Sequence, residues 1–134
     1  MPVVKRFNFQ GMDCVIYDNG MFLTGYVGVG PEHPLYGVDY SSEIIFRDGT
    51  VITPDCLFEV HGGLTFSAAL DELGGWYFGF DCAHAGDAFS SGFSVSVPGV
   101  YRDEHFVTDE CCKLAVQLES FHKMAQTLLE DKGN

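Results

Sequence analysis

Residues 80–87 read FDCAHAGD and place Asp81, Cys82, His84 and Asp87 close together; nearby, His61 precedes Gly62-Gly63 in VHGGLTFS. Carboxylates and a neutral imidazole are the donor set for zinc or manganese, with the second ring nitrogen held by a carboxylate or carbonyl. Asp81, His84 and Asp87 are therefore candidate metal ligands. His61, Trp76, Tyr77 and Arg102 are candidate ligand-binding groups around them. A bound divalent ion there would lower the pKa of a water and support hydrolysis. The plainer reading is that Asp81 and Asp87 bond loop amides and His84 a buried carbonyl. Asp-x-x-His-x-x-Asp is not a specific metal signature, so both readings stand.

Two other chemistries fit less well. Cys82 with a histidine base would need a depressed thiol pKa, yet the span Asp48–Tyr101 has seven carboxylates and no Lys or Arg. A buried, inert thiol is expected. The pairs Gly62-Gly63 and Gly74-Gly75 lack the spacing of a P-loop or a dinucleotide fingerprint. Arg102 lies just before the C-terminal helical pattern and is read as a salt-bridge partner at its start.

These residues must be held by strands. In GWYFGFD, alternation puts Trp76, Phe78 and Phe80 on one face and Tyr77, Gly79 and Asp81 on the other. Asn19-Gly20 and Asp48-Gly49 each sit between apolar segments and predict hairpins. LFEVHG, GLTFS and GFSVSV are further strand candidates, bounded by Gly or Pro. If LFEVHG and GWYFGFD end side by side, His61 approaches Asp81 and His84. The segment GVGPEHPLYGVDYSS, with His33, predicts a long ordered loop.

From Asp103 the period changes. Val107, Cys111, Leu114, Leu118, Phe121, Ala125 and Leu128 form one apolar stripe of a helix over about 104–131, with Asp103 as N-cap. About 27 helical residues span ~40 Å, long beside a radius of gyration of ~14 Å. Packing of the stripe on the parent sheet is expected; a homodimer through this helix is the other use of such spacing. The expected architecture is α+β: an antiparallel sheet from hairpins over residues ~1–100, then one long C-terminal helix. Its 134 residues suit a single domain spanning 1–134.

Nineteen Asp and Glu against seven Lys and Arg give a formal charge of −12. Such a surface repels phosphate backbones, so direct nucleic-acid binding is disfavoured, whereas basic protein surfaces and divalent cations are attracted. No apolar run reaches the ~20 residues of a membrane helix. MPVVKRFNFQ has a basic pair without an apolar run behind it, so no secretory leader is expected. Five cysteines with no CxxC predict reduced thiols.

GYVGVGPEHPLYG, VHGGLTFS, WYFGFDCAHAGD and YRDEHFV, in this order over residues 24–118, resemble a group of small proteins encoded in tailed-phage genomes. The resemblance implies a phage or prophage accessory product acting in a bacterial host cytoplasm, and carries no activity or catalytic residue with it. Two functions follow as expectations. One is a binding protein, a counter-defence or host-takeover inhibitor whose acidic face docks on a basic host protein. The other is a metal-dependent hydrolase or nucleotide-like ligand pocket formed by His61, Asp81, His84 and Asp87.

Overall fold

A computed structural model describes residues 3–70, 73–82, 87–88 and 100–128, with backbone alone at 87–88, 100–101 and 126–128. Five antiparallel strands form the main sheet: β1 (Val3–Phe9), β2 (Met12–Asp18), β3 (Leu23–Val29), β6 (Phe66–Leu70) and β7 (Gly75–Asp81), in the order β1-β2-β3-β7-β6. Between β3 and β6 lies an insertion holding the short hairpin β4 (Ile44–Ile45) and β5 (Val51–Ile52) and the single turn α1 (Pro54–Leu57). The chain ends in α2 (Glu104–Leu128). The expected α+β architecture is present. Two-residue strands β8 (Asp87–Ala88) and β9 (Val100–Tyr101) add a small parallel pair.

The turns explain the pairing. Asn19 Oδ1 accepts the amides of Met21 and Phe22 at 3.0 Å, closing β2 onto β3 so that Asp18 pairs with Leu23. At the Asp48-Gly49 turn, Gly49 has φ 90° and Phe46 N donates to Thr50 O at 2.8 Å. The β1–β2 turn uses Gln10 (φ 58°) and Gly11 (φ 80°), and a left-handed Gln costs roughly 1–2 kcal/mol relative to ordinary backbone.

Alternation assigns two faces. Cys14, Ile16, Val27, Phe78 and Phe80 point toward α2 and are at most 1% exposed. The helix stripe meets them: Val107, Cys111, Leu114 and Leu118 are fully buried, and Phe121 and Ala125 nearly so. Each buried Leu or Phe contributes about 1.5–3 kcal/mol, so the stripe rather than helix propensity holds α2 in place. It is consumed by its own sheet, across β2 and β3. Asp103 Oδ1 accepts the Phe106 amide at 2.9 Å, the capping bond expected from sequence.

The insertion covers the rest of that face, over β7 and β6. Phe46 and Phe58 pack on Phe121, with ring centroids 6.5 and 5.9 Å away. Gln117 joins Glu59 through two bonds of 2.8 Å. Here the structure corrects one expectation: LFEVHG is not a strand. Pro54 at the first helical position starts α1, and Phe58, Val60 and Leu64 then bury themselves against the core from irregular backbone. GLTFS contributes only its end to β6, and GFSVSV lies outside the described residues.

The second face, turned away from α2, is built from aromatics laid over glycines. The Tyr77 ring lies across Gly28, where a Cβ would stand 2.5 Å from Cε2, and Tyr26 covers Gly79 in the same way. Tyr26 also meets Tyr17 and Phe66 edge-on, at 5.4 and 5.1 Å. Tyr77 reaches over Gly28 to Asp13: its hydroxyl donates to Oδ2 at 2.5 Å. Arg6 grips the same carboxylate with Nε and Nη2, both at 3.0 Å.

Candidate functional site

Of the seven residues singled out from sequence, the five whose side chains are described do not meet in one cleft. Val60-His61 forms a turn beside α2, where the His61 amide donates to Glu110 Oε1 at 2.8 Å and its ring stands edge-on to Phe106 at 5.1 Å. Arg102 lies over the same Phe106 ring, 4.8 Å from its centroid. His61 and Arg102 therefore do converge, on an aromatic residue that sequence reasoning had not weighed. His61 and Phe106 border a shallow basin of about 500 Å³ that also touches Cys56, Glu110 and Lys113.

Asp81 is elsewhere. It ends β7 opposite Thr24, on the face away from α2, with Thr65 Oγ1 at 3.4 Å from Oδ2. His61 and Asp81 were expected together because two strands were expected to end side by side. Since residue 61 is not a strand end, the sheet separates the two groups. His84 and the Asp87 side chain lie outside the described residues. Among the described residues no group of three or more His, Cys, Asp or Glu is arranged to hold a metal ion. Cys82 is 1% exposed, as expected of a buried thiol.

Trp76 and Tyr77 are occupied by the fold. Trp76 Nε1 donates to Val38 O at 3.0 Å, tying the long loop to β7. Tyr77 is 2% exposed, and burial together with the Asp13 carboxylate raises its phenol pKa well above the ordinary value. Tyr77 offers no free ring face for stacking, and the Trp76 indole is only partly buried.

Two features stand out in their place. The first is charge. Residues 30–59, almost all of the insertion, carry Glu32, Asp39, Glu43, Asp48, Asp55 and Glu59 against one cation, Arg47. All of these except Asp55 are exposed. Ser41 and Ser67 hydrogen bonds hold the Asp39 carboxyl below the usual range, and Thr50 does the same for Asp48. In the middle of this acidic segment the cross-strand partners Ile45 and Val51 point outward, 66% and 50% exposed, while Ile44 on the other side is buried. Adjacent outward aliphatics on a hairpin, rimmed by Glu43 and Asp48, are the outline of a contact surface. The residue types were visible in the sequence, but which hairpin face turned outward was not.

The second is a cleft of about 260 Å³ at the end of β3, between the β1–β2 turn, Glu32, His33 and α2 residues Glu119 and His122. Read from sequence as part of a loop, His33 is 4% exposed and fully hydrogen-bonded: Nε2 is 2.9 Å from Leu118 O and Nδ1 accepts the Leu35 amide at 3.1 Å. With both nitrogens engaged it is a fastening, not a ligand donor.

Comparison with protein-family models, curated proteins and solved structures found no match. Among the described residues no helix is long and apolar enough to cross a membrane.

Proposed function

We propose that this protein acts by binding: the acidic insertion docks on a basic protein surface, with Ile45 and Val51 as its apolar centre. The observation carrying this reading is the hairpin itself, an outward aliphatic pair inside a segment of six carboxylates and one arginine. Complementary charge would accelerate the encounter and set orientation, while burial of the aliphatic pair would slow dissociation. The phage-like sequence blocks support a setting in a bacterial cytoplasm and a role as an inhibitor of a host or defence protein. The metal-hydrolase reading receives less support, because His61 and Asp81 lie on different sides of the sheet.

The test is capture from a bacterial extract, followed by binary affinity measurement on the purified partner. The partner should be basic at its contact surface. Affinity should fall steeply between about 50 and 300 mM salt, as exposed charge pairs are screened. Ile45→Ser with Val51→Ser should weaken it by roughly tenfold or more, at ~1.4 kcal/mol per decade. Affinity indifferent both to salt and to this double variant would refute the proposal.

A further inference from the structure

Residues 30–43 form a strap that leaves β3, crosses β7 and reaches β6. Trp76 Nε1 holds it at Val38 O, and the Ser67 hydroxyl holds it at the Tyr40 amide (2.9 Å) and the Asp39 carboxylate (3.0 Å). Its first anchor is of a different kind. Among the described residues, the His33 imidazole is the one side chain of the strap that hydrogen-bonds α2, at Leu118 O in the middle of the helix.

We propose that His33 is a proton-operated latch: on taking up a proton it releases the strap from α2 while the sheet and the helix stay folded. The chemistry follows from the two bonds. Nδ1 accepts a hydrogen bond from the Leu35 amide, so it carries no proton, and the proton sits on Nε2 facing Leu118 O. An added proton can only go to Nδ1, where it would point at the Leu35 N–H. One hydrogen bond is then lost and two donors face each other in a site 4% exposed.

The surrounding charges are mixed. Glu32 on the strap and Glu119 on α2 favour the imidazolium; His122 on α2, with its ring centroid 4.9 Å away, opposes it. The cleft residues from the β1–β2 turn and from β3 (Gln10, Gly11, Met12, Gly28, Val29, Gly30) carry no charge. Burial is the largest influence and lowers the His33 pKa below its usual 6.5. The closed strap therefore binds fewer protons than the open one. Closure is fully favoured above about pH 6.5 and weakens as pH falls toward the lowered value, at most tenfold per pH unit for one proton.

Opening is local because the rest of the core does not depend on this bond. The stripe from Val107 to Ala125 packs on β2 and β3, whereas the strap buries mainly Leu35. The inference goes beyond the binding proposal and stands without it, although the strap leads directly into the acidic hairpin.

Amide hydrogen exchange of the whole protein, followed by NMR from about pH 7.5 to about pH 5 and corrected for intrinsic rates, tests it. Protection of Leu35, Tyr36 and Val38 should fall by up to about tenfold per pH unit below ~6.5, with Val15 and Val27 unchanged. His33→Gln, which can still offer a donor and an acceptor, should give a flat profile. The His33 ring should report a neutral Nε2–H tautomer at pH 7. A flat wild-type strap, a parallel loss at Val15 and Val27, or a pH step that survives in His33→Gln would each overturn the latch. If His33→Gln does not fold, the wild-type profiles and the ring tautomer decide alone.

Discussion

Gly28→Ala offers a sharp test of how the second face is built. Gly28 is in ordinary extended backbone inside β3, where replacing Gly by Ala should stabilise a protein by ~0.4–1 kcal/mol through the unfolded chain. Here the sign should reverse. The new Cβ would stand 2.5 Å from Tyr77 Cε2 and 2.6 Å from Cζ, so the ring must lift. Overpacking of this kind costs ~1–3 kcal/mol. A lifted ring also takes the Tyr77 hydroxyl away from Asp13, and a hydrogen bond to a charged acceptor contributes ~1.5–3 kcal/mol. Tyr77→Phe keeps the ring over Gly28 and loses that bond alone. Urea unfolding of the two single variants and the double variant at pH 7 closes the cycle. Tyr77→Phe should destabilise by about 2 kcal/mol and Gly28→Ala by about 3–4 kcal/mol, and the double should cost less than their sum by ~1.5–3 kcal/mol, because the hydroxyl's bond is lost only once. Strict additivity, or a neutral or stabilising Gly28→Ala, would refute the account of Tyr77 spanning Gly28.

Two further outcomes follow from the core and the helix start. Asp103→Ala removes the cap on the Phe106 amide and should cost about 1 kcal/mol in urea unfolding, whereas Asp103→Asn should be nearly neutral. At neutral pH a thiol reagent should modify exposed Cys56 first and half-buried Cys112 more slowly. Cys14, whose thiol burial pushes up to about 12, and the equally buried Cys111 should react only on unfolding; rapid modification of either in the native protein would contradict the packing of α2 on β2.

The parts of the fold legible in the sequence are those whose cause is local. Asn19-Gly20 and Asp48-Gly49 specify their hairpins because left-handed backbone and side-chain-to-amide bonds are properties of the turn residues themselves. The stripe from Val107 to Ala125 specifies one buried helix face, and alternation in GWYFGFD specifies which residues face α2. What was not legible depends on distant partners. Leu57, Phe58 and Val60 have the composition of a strand, but Pro54 and the aromatic surface of Phe121 make them a helical turn and a packed loop. That change moved His61 to the helix side and separated it from Asp81. His33 gave no signal beyond a turn, because its partner, Leu118 O, is 85 residues away. Phe106 was missed as the meeting point of His61 and Arg102 for the same reason.

The central claim, that the acidic insertion is the binding surface, is tested most directly by the hydrogen-exchange footprint of the protein in complex with its purified partner. Binding should slow exchange across residues 43–52, around Ile45 and Val51, and leave the amides of β1 and of the His61–Phe106 basin unchanged. A footprint on β1 or on that basin, with 43–52 exchanging as in the free protein, would contradict it.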